Sequence, residues 1–176
     1  GEGIGISAVR LPMGASDFTN GPHYSYDDMP PGQTDPDLEH FSIEHDMAYI
    51  VPVIKEVLQI NPELKIIASP WSLPGWMKTT DSMIKGSLLP EYYDAYAQYF
   101  VKFIEAYQAE GIPIYAITLQ NEPFFEPNNY PGMRLEPDDA ALLVKDHLAP
   151  AFEEAGLDTK ILIWDHNWDE WKYPLT

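Results

Sequence analysis

Four short apolar runs, each closed by an abrupt polar or aromatic tip and separated by long amphipathic stretches, constrain this chain more than any other feature. They occupy residues 4–13, 65–69, 114–120 and 160–164. Short apolar runs bounded by turn residues read as buried strands, and Pro113 and Pro123 bracket the third. Between the first two, Met47, Ile50, Val51, Ile54, Val57 and Leu58 fall on one helical stripe. Ser42 caps that helix, which is predicted to begin at Ile43 and to continue through Pro52, with Glu44 and Asp46 where the helix dipole favours acids. A second helix is predicted over 91–110, between Pro90 and Gly111, with Tyr92, Tyr96, Tyr99, Phe100, Phe103, Ile104 and Tyr107 inward as core. A third runs over 137–155 and stops at Gly156.

The order β-α-β-α-β-α-β predicts a parallel sheet with right-handed crossovers. Arg10 and Asp17, Trp71 and Trp76, Asn121 and Glu122, and Asp165, His166 and Asn167 then share one rim, the C-terminal edge where ligands bind in α/β proteins. No Gly-rich phosphate turn follows the first strand, which favours a (β/α)8 barrel over a nucleotide-binding sheet. A complete barrel needs about 250 residues and eight strands. The expected fold is therefore α/β, a partial (β/α)8 TIM barrel of four strands with their helices. A start at Gly1 without initiator Met and a stop at Thr176 in mid-loop read as an internal piece of something longer.

Charge narrows the partners. The 28 acidic and 10 basic residues leave a formal net of −18, a field that repels phosphate backbones and anionic lipid headgroups. Nucleic acid is a poor partner. With no cysteine, disulfides cannot staple the fold, and no apolar run is long enough to span a bilayer.

A rim of one carboxylate, several rings and few cations suits a neutral polyhydroxylated ligand. Aromatic faces cover the apolar sides of sugar rings, while Asp, Asn, His and Glu exchange hydrogen bonds with hydroxyls. Glycoside hydrolysis, which uses two carboxyl groups, has an evident mechanism in such a site, with Glu122 as its acid or base. Two other readings stand beside it: a non-catalytic carbohydrate-binding fragment, and a metal-dependent barrel hydrolase using Asp165 and His166. The second is weakened because neighbours on an extended segment point to opposite faces. Trp76 is as well read as a loop anchor as a sugar platform. Beside a sugar contact, Asp17 has a structural reading, closing a turn with Ser16 and pairing with Arg10, and His45 and Asp46 are expected to form a solvent-facing first turn. The long loop of residues 14–41, rich in tyrosine, reads as functional.

Three blocks, Arg10-Leu11-Pro12-Met13-Gly14-Ala15-Ser16-Asp17-Phe18, Ala68-Ser69-Pro70-Trp71-Ser72-Leu73-Pro74-Gly75-Trp76-Met77-Lys78 and Gln120-Asn121-Glu122-Pro123, resemble consecutive blocks of the glucosylceramidase-type glycoside hydrolases, family 30. The likeness continues through 99–103 and 161–167 and so spans nearly the whole chain. It implies a retaining β-glycosidase in which residues 1–176 are a fragment of a single catalytic barrel supplying strands two to five. Glu122 would match the general acid/base, Asn121 a contact to the sugar 2-hydroxyl, and Asp17 and Trp71 the innermost sugar subsite, with Asp165 and His166 hydrogen-bonding on the rim. The family's nucleophile, a second Glu at strand seven, falls outside this sequence. No metal or organic cofactor is implied. The implied substrate is a β-glucoside or β-glucan, either glucosylceramide-like or β-1,6-linked, with the acidic surface favouring the glycan. Secretion or periplasmic export of the parent protein suits such a polymer, and these residues alone are expected to be inactive without the rest of the barrel.

Overall fold

The computed structural model describes residues 4–170 and 172–175; Gly1 and Thr176, read above as mid-chain, lie outside them. Strands β1 (Ala8–Met13), β2 (Lys65–Pro70), β4 (Ala116–Thr118) and β6 (Lys160–Leu162) form one sheet in that order, every neighbouring pair parallel. Consecutive order with parallel pairing is the arrangement of successive barrel strands, and it needs a crossover between each pair. The crossovers are α1 (Glu44–Met47) with α2 (Ile50–Ile60), α3 (Tyr93–Ala109), and a rod of α4 (Pro137–Leu142), a π-helical segment (Leu143–Leu148) and α5 (Ala149–Glu154).

The period-two alternation of the strands sorts the sheet's faces. Leu11, Met13, Ile66, Ala68 and Ile117 join Val51, Ile54, Tyr96, Phe100, Phe103, Leu143 and Leu148 in one buried apolar cluster on the helical side. Arg10, Ser69 and Thr118 are out of phase with these residues and carry the polar contacts of the other face. In α3, Tyr96, Tyr99, Phe100, Phe103, Ile104 and Tyr107 are all fully buried, as the stripe predicts; each such side chain contributes roughly 1.5–3 kcal/mol by burial.

Several boundaries differ from expectation. The first strand begins at Ala8 because Gly5 takes a left-handed φ of +70° that breaks the extended run. The helix predicted through Pro52 is split between Met47 and Ile50. Proline has no N–H for the carbonyl of Ala48, and its ring crowds that carbonyl. The third helix keeps its expected bounds in spite of Pro150, and the bond to Asp146 that this proline cannot make falls inside the widened π turn. A second two-stranded parallel sheet, β3 (Ile84–Ser87) with β5 (Gly132–Arg134), was not predicted. Its first strand reads Ile-Lys-Gly-Ser, with positive φ at Lys85 and Gly86, and lacks any apolar alternation.

Asp46 corrects a further expectation. It does not face solvent but is fully buried. Its carboxylate accepts the hydroxyls of Tyr24 at 3.1 Å, Tyr26 at 2.6 Å and Tyr107 at 2.6 Å, tying the long β1–α1 loop to α1 and α3. Burial, with the Asp46 charge beside it, pushes all three phenols above their usual range, so they stay neutral donors. Asp46→Ala strands the buried hydroxyls of Tyr26 and Tyr107, each at a cost of about 1–3 kcal/mol. Urea unfolding is expected to show a loss of roughly 3 kcal/mol for Asp46→Ala and a smaller one for Tyr107→Phe; a loss below about 1 kcal/mol for Asp46→Ala would show that the network adds little.

Candidate active site

Four strands bring their C-terminal ends to one charged centre. The Arg10 guanidinium from β1 donates to Ser69 Oγ of β2 at 2.9 Å, to Asn121 Oδ1 beyond β4 at 2.8 Å, and to the Asp165 carboxylate beyond β6. Ser69 Oγ and Thr118 Oγ1 lie 2.5 Å apart, each 2.9 Å from Asp165 Oδ2. Two hydroxyls have two hydrogens to share among these contacts, so Asp165 Oδ2 is held by a charge-assisted cluster. Arg10 pairs with Asp165 and not with Asp17 as the sequence suggested, because Arg10 lies on the sheet face that all four strands share.

Asn121 and Glu122 sit directly on this cluster. Asn121 donates its backbone N–H to Pro70 O at 2.8 Å, and Glu122 donates its own to Asp165 O at 2.9 Å. With Arg10 on Asn121 Oδ1, the amide orientation follows and its NH2 is the group left to donate. Glu122 has φ +47°, one of four non-glycine residues with positive φ among those described. A bulky residue in that region is strained, and such strain gathers at functional positions. The Glu122 side chain is 38% exposed, and His166 Nε2 lies 3.7 Å from its Oε1. His166 Nδ1 is buried without a partner among the described residues.

The other predicted residues divide. Trp71 is half-buried, with the Arg10 guanidinium over one face at 4.7 Å from the ring centre. Asp17 is exposed on the loop after β1. Burial and the charges of Glu122 and Asp17 push the Tyr130 phenol up. Asp165, expected to meet sugar, has Oδ2 occupied as described. Trp76 is a loop anchor: it is 5% exposed and its indole N–H donates to both Asp27 O and Asp27 Oδ2 at 3.0 Å. Behind the tip loops, buried Lys78 donates to Ser72 Oγ, Met83 O and Gly132 O, joining the main rim to the small sheet. Burial pushes its ammonium down to about 7, against the pull of Glu126.

Ser69, Thr118, Gln120 and Tyr130 join the rim from outside the expected set of site residues. Ser69 and Thr118 had a signal, since a hydroxyl inside an apolar strand needs a partner; Tyr130 lies in a polar loop with none. An apolar cleft lined by Leu119, Pro137, Ala140, Val144, Ile163 and Tyr173 holds none of the predicted site residues. Among the described residues no group of three or more His, Asp or Glu is placed to hold a metal ion, and no helix is long and apolar enough to cross a membrane.

Comparison with known proteins matches residues 1–172 to the glycosyl hydrolase family 30 TIM-barrel domain. The chain belongs to glycoside hydrolase family 30. It is 40% identical to the endo-1,6-beta-D-glucanase of Neurospora crassa over 178 residues, 99% of this chain and 37% of that protein. It is 32% identical to the lysosomal acid glucosylceramidase of Mus musculus over 174 residues, 93% of this chain and 33% of that protein. The solved endo-beta1,6-glucanase BT3312 superposes with a TM-score of 0.85 at 40% identity, covering 93% of this chain and 36% of its own. The chain thus spans little more than a third of these family 30 relatives, and its fold is part of their (β/α)8 barrel.

Asp27 supplies a pH test of the rim's support. Burial, then the Asp35 charge, raises its carboxyl to about 7. Asp35 keeps the charge, since burial is outweighed there by the backbone N–H and ring of His40, which hold it low. A carboxyl raised on folding adds stability that is full below its unfolded pKa of about 3.9 and is lost as pH rises through the folded value. The thermal midpoint of the wild type, relative to that of Asp27→Asn, is expected to fall between about pH 4 and pH 7. Asn keeps an acceptor for Trp76, so a flat difference over that range would exclude the buried proton.

Proposed function

We propose that this chain carries the acid/base side of a retaining β-glucosidic hydrolase, a fragment of a single catalytic barrel whose nucleophile Glu lies outside these residues. The observation that carries the reading is Glu122 at a strand tip, in a left-handed backbone conformation, beside an Asn121 amide oriented by Arg10. Glu122 protonated gives its hydrogen to the leaving oxygen while the second carboxylate, about 5 Å away in retaining enzymes, attacks the anomeric carbon. Glu122 then takes a proton from the water that releases the sugar. His166 Nε2 lies 3.7 Å from Glu122 Oε1.

Asn121 donates to the sugar 2-hydroxyl. Asp17 and the free part of Trp71 hold the innermost ring, and Asp165 acts through Arg10. The substrate is a β-1,6-linked glucan in preference to glucosylceramide: the glucanase relative above is the more similar, and the net charge of −18 disfavours an anionic membrane surface. Export from the cytoplasm would bring the protein to such a polymer. Neither a metal nor an organic cofactor enters the steps.

The test is product analysis of the full-length protein on β-1,6-glucan and on glucosylceramide, with wild type and Glu122→Gln in parallel. Wild type is expected to release glucose or short oligosaccharides from the glucan, and Glu122→Gln to lose on the order of 10²–10⁴-fold in rate. Equal rates in both would remove Glu122 from the chemistry. Glycan retention without turnover would favour a binding module, and loss of activity with a chelator would favour metal-assisted hydrolysis.

A further inference from the structure

We propose that Gln120 is a positioning residue that clamps the loop after β2 to the Asn121-Glu122 turn; this rests on the reading of Trp71 and Asn121 as sugar contacts. Gln120 is 2% exposed. Its Nε2 donates to Trp71 O at 2.7 Å and to Asn121 O at 2.9 Å. A primary amide has two such hydrogens, so both are used, one on each side of the gap between neighbouring strands. The assignment of nitrogen and oxygen follows from the partners, because the reverse orientation would set Oε1 against two carbonyl oxygens.

Oε1 itself is buried with no partner among the described residues. An orphaned buried acceptor is costly, and a hydrocarbon side chain of similar shape would avoid that cost. What Gln120 offers over such a side chain is its pair of donors. Around it, Asn121 N–H bonds to Pro70 O at 2.8 Å, and the Tyr96 hydroxyl donates to Leu119 O at 2.7 Å. The peptides of Trp71 and Asn121 are therefore oriented from beneath by one buried amide. Arg10 sets the Asn121 side chain.

Two variants of the full-length protein separate this role from simple filling of space. Gln120→Leu keeps the bulk and removes both donors. Its kcat/KM on an aryl β-glucoside is expected to fall on the order of 10–100-fold, mostly in kcat, as misplacement of a transition-state contact does. Gln120→Glu carries one hydrogen when protonated and none when ionised, when it faces both carbonyls with negative charge. Its activity is expected to approach wild type at acid pH and to fall through an added limb, absent from wild type, as pH rises. Hydrogen exchange reads the clamp without any substrate: in Gln120→Leu the Asn121 amide and residues 70–76 are expected to exchange faster at an unchanged global unfolding midpoint. That readout stands even if the protein hydrolyses no β-glucoside, so failure of the functional reading is distinguishable. Wild-type exchange in Gln120→Leu, or a wild-type pH profile in Gln120→Glu, would overturn the proposal.

Discussion

The contact between Arg10 and Asp165 is the constraint on which the rim depends. It joins the first strand of the sheet to the segment beyond the last, and its flanking hydroxyls come from the two strands between. Backbone ladders hold each strand to its neighbours only. This cluster instead ties all four ends at once, at the edge where the ladder stops. Both side chains keep some contact with water, so the pair acts less through its charge alone than through the several hydrogen bonds that converge on it. The same guanidinium orients Asn121 and lies on Trp71. Fixing the strand ends and orienting the site residues are therefore one interaction.

A second tier of buried polar groups carries the loops that rise from those ends. Asp46 gathers three tyrosine hydroxyls under the β1–α1 loop, Asp27 receives the Trp76 indole, and Lys78 bridges the β2 loop to the small sheet. These loops also send Tyr26, Leu38, Leu73, Trp76 and Met77 into the core, and the directional bonds fix how those side chains sit, since a half-satisfied buried group is costly enough to exclude alternatives. Gly14 shows how tight this tier is. It takes φ +75° as the chain leaves β1, and a Cβ there would lie 2.8 Å from Tyr24 O. The loop and the strand end touch backbone to backbone.

Where sequence reading succeeded and failed follows the range of the forces involved. Strand and helix identities came from local periodicity, and the abrupt tip Asn121-Glu122-Pro123 was visible because an apolar run cannot end in charge without reason. A boundary slipped where proline acted across a turn, at Pro52, whereas the helix expected over 137–155 runs unbroken from Pro137 to Glu154. Asp46 was misplaced because a helix's first turn faces solvent in isolation, and only the arrival of Tyr26 and Tyr107, from elements 20 and 61 residues away, buries it.

The sequence by itself determined a parallel α/β chain with its polar residues at one edge, since alternation, punctuation and the residue types at each tip are local properties. Tertiary structure alone decided which of those tip residues meet: Arg10 with Asp165, not Asp17; Trp76 with Asp27, not open rim; His166 toward Glu122. The reason is geometric. Partners 111 and 155 residues apart come within hydrogen-bond reach only after strand order and register bring four tips together, and neither is encoded in any single segment.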